Sequence, residues 1–397
     1  MEYQPMPPER NNSILKRSAL RFVILVGVVS LFADMTYEGA RSINGQYLAV
    51  FGASATIVGF VSGLGELVGY ALRLVSGYIS DRTGKYWAIT ILGYAVNMLA
   101  VPLLALAGRW ETAAFLMITE RIGKGIRTPT RDAMLSHATK EIGRGWGFGL
   151  HEALDQIGAV IGPLIVSAVL YFRGGYKAAF SILLVPALLA LCILMIARFL
   201  YPRPRDFEVG PLKLEGKGFP KTFWFYLAAV AMIAVGYADF PLIAYHFKKV
   251  SVASDEWIPV FYAVAMGVDA LSALFFGRLF DRVGISILIL VSLLSSLFAP
   301  LVFLGGFDFA LLGMALWGVG MGAQESIMRA AVAGMVSIDK RGSAYGIFNT
   351  GYGVSWFLGS VLMGVLYDKS IPSLIIFSVV MQLASVPLLF IIRNWHK

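Results

Sequence analysis

Twelve long apolar runs dominate the sequence, near residues 20–40, 54–80, 87–107, 111–134, 145–171, 177–199, 222–246, 257–280, 285–304, 308–335, 342–367 and 371–392. Each approaches the ~20 mostly apolar residues that a helix needs to cross a bilayer. None alternates apolar and polar residues over about ten positions, as a barrel strand would. The pattern predicts an all-α membrane protein with twelve transmembrane helices. With 58% hydrophobic and 14% charged residues, the chain lies far from the roughly 45–50% apolar and ~25% charged balance of soluble domains. That excludes an ordinary soluble enzyme, a disordered chain and a disulfide scaffold. Cys192 is the single cysteine, so no disulfide forms within the chain.

Lys16, Arg17 and Arg21 precede the first run, which is long enough to span rather than to serve as a cleaved signal. The chain has 33 Lys and Arg and a net charge of +9. Most of these basic residues fall on one side if the connections alternate across a membrane. Basic loops face the cytoplasm, so both termini are expected there, in the cytoplasmic (inner) membrane. The same distribution argues for topology and against nucleic-acid binding. The connection 201–221 is rich in Pro, Gly and charge. It divides the chain into a six-helix half at 1–200, a cytoplasmic linker at 201–221 and a second half at 222–397.

The halves repeat one another. At one common shift Arg144, Gly145, Gly149 and Gly162 fall on Arg341, Gly342, Gly346 and Gly359. Gly123, Gly125 and Ala133 then fall on Gly320, Gly322 and Ala330. A slightly larger shift superposes Gly77, Asp81, Arg82 and Gly84 on Gly277, Asp281, Arg282 and Gly284. Internal repeats of this kind place a solute site at mid-membrane between two halves that rock.

The stretch Gly77-Tyr-Ile-Ser-Asp81-Arg82-Thr-Gly84-Lys85 and its counterpart Gly277-Arg-Leu-Phe-Asp281-Arg282-Val-Gly284 resemble the loop signature of the major facilitator superfamily, G-x-x-x-D-R-x-G-R/K. In the second copy Ile285 replaces the final basic residue. The resemblance implies two pseudo-symmetric six-helix halves and transport by alternating access, with helices 1, 4, 7 and 10 around a central cavity. In physical terms, Gly at each end permits close packing and a tight turn. Asp81 can accept charge-assisted bonds that latch the cytoplasmic side.

Two further stretches resemble signatures of proton-coupled exporters in that superfamily. Met117-Ile-Thr-Glu-Arg121-Ile-Gly-Lys124-Gly125 is similar to l-x-x-x-R-x-x-q-G, with Lys124 at the usual Gln. Gly158-Ala-Val-Ile-Gly162-Pro163 is similar to G-x-x-x-G-P, although Val166 and Ser167 stand where further glycines are common. The resemblance thus implies an antiporter working in efflux.

Charge inside a span is costly and marks function by default. Asp34 and Glu38 share a face of run 1. Run 4 carries Glu120, Arg121, Lys124 and Arg127, run 5 His151, Glu152 and Asp155, and run 10 Glu325 and Arg329. Counting about 1.5 Å per residue puts Asp34 and Arg121 near mid-depth, where they are expected to meet as a proton switch. Glu66 and Arg73 share a face of run 2 and are expected to fix packing, as do Gly59, Gly63, Gly65 and Gly69. Asp239 and Asp269 are further charges within runs 7 and 8. Glu325 and Arg329, four apart, are expected to pair along their helix. His151 and Asp155 suit a polar pair, a proton relay or, with further ligands, a transition metal. No aromatic residue is assigned a role.

The sequence shows no P-loop and no hydrolase or metalloprotease motif, so neither ATP chemistry nor a cofactor is expected and the chain is not read as an enzyme. The sequence predicts a monomeric secondary transporter exchanging protons for a small molecule or ion across the lipid bilayer. The cations of run 4 suit an anionic or zwitterionic solute, and the carboxylates suit a cation, metal ion or metal chelate. A membrane scaffold or receptor that retained this fold is the alternative from another class.

Overall fold

The computed structural model describes residues 8–202, 218–336 and 341–395, apart from a few side chains inside helices. Among these residues there is no strand. Twelve helical spans follow one another: α1 (Pro8–Val50), α2 (Ala55–Thr83), α3 (Tyr86–Leu106), α4 (Trp110–Ile142), α5 (Arg144–Tyr171), α6 (Gly175–Leu200), α7 (Lys221–Lys249), α8 (Trp257–Val283), α9 (Ser286–Leu304), α10 (Phe307–Met335), α11 (Arg341–Lys369) and α12 (Ile371–Trp395). Among the described residues nine spans are long and apolar enough to cross a membrane on composition alone. The helices outside that set are α4, α10 and α11, and α4 and α10 hold in-span charges. Large apolar side chains such as Leu271, Leu274 and Phe275 on α8 are exposed, as a lipid-facing surface requires.

Several spans are interrupted. α6 breaks at Leu183, α9 at Ser296 and Leu297, and α7 between Gly236 and Phe240. The α7 break releases backbone groups that buried side chains take up. Gly236 O accepts from Ser378 Oγ at 2.6 Å and Gln382 Nε2 at 3.3 Å, which satisfies an otherwise orphaned carbonyl.

The two halves, α1–α6 and α7–α12, are packed alike, and the repeated glycines show why. A Cβ added at Gly162 on α5 would strike the carbonyl of Met35 on α1, and one at Gly359 on α11 would strike that of Val235 on α7. The pair Gly125 and Gly322 does the same for α4 against α2 and for α10 against α8. Equivalent glycines permit equivalent crossings, which is the small-residue packing of membrane helices.

The start of α1, the end of α6, the start of α7 and the end of α12 lie on one side, here the termini side; the opposite side is the far side. The halves meet at their far ends. Gly45 on α1 lies against Pro241 on α7, and Gly59 and Gly364 join α2 to α11. Asp368, at the far end of α11, accepts from Thr56 N at 2.8 Å, Thr56 Oγ1 at 2.6 Å and Ala55 N at 3.1 Å. A carboxylate from one half thereby caps the α2 N-terminus of the other. On the termini side Gly84 and Gly284, with φ of 64° and 65°, end α2 and α8. The left-handed backbone there suits glycine. Asp81 is exposed and accepts from Tyr86 Oη at 3.1 Å within its own half.

Candidate substrate cavity

A cavity of about 370 Å³ lies between the halves. It extends toward the termini side as far as Arg73, Asp132, Glu152 and Asn349, and is lined by α1, α2, α4 and α5 from one half and α8, α10 and α11 from the other. The expectation that helix 7 lines it is corrected. The second segment of α7, after the break, packs on α1 and closes the far side, so its Asp239 is buried behind the cavity wall.

That closure is ionic. Arg41 Nη2 on α1 donates to Asp239 Oδ1 at 2.7 Å, and Trp356 Nε1 on α11 approaches Asp239 Oδ2 at 3.4 Å. Beside it Tyr262 Oη on α8 donates to Glu38 Oε2 at 2.5 Å. Glu38 and Asp239 are each at most 6% exposed. These contacts tie the halves together at the cavity floor.

Asp34 and Arg121 do not meet. Asp34 Oδ1 lies 3.6 Å from Arg127 Nη2, while Arg121 lies between Glu66, at 3.2 Å, and Glu120, at 3.3 Å. The reason is the length of α1, which continues to Val50, well past the end of its apolar run. Asp34 therefore stands about as far from Val50 as Arg127 does from Trp110. Gly65 leaves room for the Arg121 stem, directing its guanidinium toward α2. Glu66 thus turns to Arg121, and to Arg41 at 3.5 Å, rather than along its own helix. Arg73 instead stacks 4.7 Å from the Tyr70 ring. Glu120 also accepts from Asn97 Nδ2 at 2.6 Å, which makes it part of the α3–α4 packing.

Lys124 Nζ sits 3.6 Å above the Tyr37 ring. Arg127 is 1% exposed, 4.3 Å from the Tyr94 ring, and its Nε and Nη1 have no partner. One end of the cavity is built by Arg131, which reaches Asp132 at 2.9 Å, Asp155 at 3.9 Å and Ser30 at 3.1 Å. His151 Nε2 lies 2.9 Å from Ser30 Oγ, and its Nδ1 is 3.6 Å from Asp155. Ligand atoms of His151, Glu152 and Asp155 fall within 4.8 Å of one another. The Arg131 guanidinium supplies the positive charge beside this group, so the donor set suits a polar relay better than a metal ion.

On the second half, Asp269 is 2% exposed; its Oδ2 is 3.5 Å from Gln156 Nε2 and its Oδ1 has no partner. Glu325 lines the cavity from α10. The side chain of Arg329 lies outside the described residues, so its expected pairing with Glu325 does too. Gly158 and Gly162 press α5 onto α1, with Pro163 inside the helix. Trp356 and Tyr352, without an assigned role in the sequence, line the second half of the cavity. Arg41 and Arg131 were absent from the candidate residues. Arg41 lies beyond the apolar run, whereas Arg131 continues the spacing Lys124, Arg127, Arg131 along one helix face.

The sequence profile of the Major Facilitator Superfamily matches residues 24–247 and again 222–394. The chain belongs to the major facilitator superfamily. An uncharacterized protein of Mycobacterium tuberculosis is 41% identical over 383 residues, covering 95% of this chain and 94% of the relative. A class C tetracycline resistance protein of Escherichia coli is 32% identical over 175 residues, 42% of this chain and 43% of that protein. The fold is also similar to the crystal structure of the nucleoside transporter NupG, with a TM-score of 0.72 and 14% identity, covering 95% of this chain and 99% of that one. The family is one of membrane transport, and this chain is a transporter rather than an enzyme.

Proposed function

We propose that the chain is a proton-coupled exporter of a small solute, working by alternating access in the cytoplasmic membrane. The observation that carries this reading is the division of the ionised groups. Arg41–Asp239 and Glu38–Tyr262 hold the far side shut between halves, whereas Asp34 and Arg127 pair within one half. Opening of the far side requires the Arg41–Asp239 and Tyr262–Glu38 contacts to part, and proton transfer to the cavity accompanies that opening in the proposed cycle. A solute leaving outward and a proton entering then share one conformational cycle.

The basic residues of the termini side support a cytoplasmic placement of that side, where solute enters the cavity. Efflux is supported by the exporter-like stretches at Arg121 and Gly158 and by the name of the tetracycline resistance relative. Purified protein in liposomes tests the reading. A panel including tetracycline is loaded and flux is followed with and without an imposed pH gradient. Gradient-accelerated efflux is expected. Flux of transported solutes that ignores the gradient excludes proton coupling, and absence of all flux supports the scaffold reading.

A further inference from the structure

We propose that the cavity selects an amphoteric solute, its cationic end held by Asp269 of the second half and its anionic end by Arg73 of the first. This names a substrate class for the transporter reading and rests on it.

Among the described residues, every basic side chain lining the cavity belongs to the first half. Four are paired: Arg41 with Asp239, Arg121 with Glu66 and Glu120, Arg127 with Asp34, and Arg131 with Asp132 and Asp155. Lys124 rests on Tyr37 near the carboxylates of Asp34 and Glu38. Among the described residues Arg73 makes no salt bridge, and Glu66 is the carboxylate it acts on from a distance. Arg73 stacks on Tyr70, and its Nε is buried without a partner.

Asp269 presents the opposite need. It is buried, lines the cavity and leaves Oδ1 unsatisfied. The carboxylates of Glu325 on α10, Glu152 on α5 and Glu38 on α1 lie near enough to act on it. A Cβ at Gly322 would fall 2.9 Å from Oδ1, so glycine there keeps room for the carboxylate. Met266 and Met321 also line this wall and offer adaptable apolar surface to the body of a solute. Tyr352 and Trp356 add aromatic faces that favour an organic cation.

A buried charge without a counter-ion is costly. Asp269 is such a charge, whereas Arg73 is half-buried with its Nε unpartnered; a simple cation answers only the first group and a simple anion only the second. A solute carrying both charges satisfies both and bridges the two halves. It therefore favours the conformation in which the halves approach on the termini side. The cavity of about 370 Å³ falls within the range that holds small organic ligands.

Binding to purified protein without any gradient tests this. Two skeletons are used, tryptophan and norfloxacin, each as the amphoteric parent, the cationic methyl ester and the anionic N-acyl derivative. The parent of at least one series should bind about tenfold more tightly than both its derivatives. Asp269→Asn should remove the advantage over the N-acyl form, and Arg73→Gln the advantage over the ester, with Arg73→Lys retaining it. Equal or tighter binding of an ester or N-acyl form by wild type overturns the proposal, as does no binding by either series. The wild-type comparison decides even where a variant fails to fold. Because no gradient is applied, failure here leaves proton coupling standing, and a gradient-independent flux leaves the charge preference standing.

Discussion

Arg41 and Asp239 face one another across 2.7 Å, joining α1 to the break in α7 and both halves of the molecule at the cavity floor. α7 breaks between Gly236 and Phe240, which sets the carboxylate where it closes the far side. Asp239→Asn should weaken that closure. Replacing a hydrogen bond between charged groups by a weaker one costs about 1.5–3 kcal/mol, so outward-open molecules should rise about tenfold or more. Spin-label distances across the far ends of α1 and α7 read this directly. Unchanged distances would show that the ion pair is bystander packing.

Asp368 gives a second, separable far-side contact. Asp368→Ala removes three acceptor contacts at the start of α2, a capping loss of about 1 kcal/mol. Outward opening should become easier by roughly fivefold, and the roughly tenfold effect of Asp239→Asn should multiply it because the sites share no partner. A double variant whose label distances match either single variant contradicts independent latches.

The glycine crossings predict paired sensitivity. Gly162→Ala and Gly359→Ala each drive a methyl group into the backbone of a neighbouring helix, an overpacking cost of about 1–3 kcal/mol. Both variants should melt below wild type in detergent. Gly149→Ala, where an added Cβ meets nothing within 4 Å, should not. Equal melting of all three removes the close-approach explanation of the repeat.

Much of this architecture was legible in residue order. Apolar runs of membrane length gave the spans, and glycines at a common shift gave the symmetric packing, because both are local or periodic properties. The partners of the charges were not legible. α1 outlasts its apolar run by continuing through polar residues to Val50, since Arg41, Ser42 and Gln46 are buried against the rest of the protein rather than exposed to lipid. That extension changes the level of Asp34 and hence its partner. The break that releases Asp239 from α7 lies in an apolar stretch and carries no strong punctuation before Pro241. Pairs such as Glu38 with Tyr262 join distant segments and follow only from the packing of halves.

Orientation is open to a direct check. Gly108 is exposed between α3 and α4 on the far side. With Cys192→Ala as background, Gly108→Cys should react in intact cells with a membrane-impermeant maleimide, because the basic residues assign the opposite side to the cytoplasm. Labelling only after cell lysis would reverse the orientation and, with it, export.

The proton response should follow Asp34 and Arg127 rather than Arg121. Asp34 lines the cavity and meets a guanidinium that is 1% exposed and keeps two nitrogens unpartnered. Neutralising Asp34 leaves that cation without its salt bridge; neutralising Arg127 removes the guanidinium paired with the carboxylate. Arg121, between Glu66 and Glu120, holds α4 to α2 through groups that remain together in one half. Asp34→Asn and Arg127→Gln should therefore each abolish acceleration by a pH gradient, while solute exchange at equal pH survives. Arg121→Gln should lower thermal stability and keep the gradient response in the protein that folds. Flux in proteoliposomes, with and without the gradient, separates these cases. If Asp34→Asn still responds as wild type does, coupling passes to the cavity floor, and Glu38→Gln becomes the variant expected to lose it.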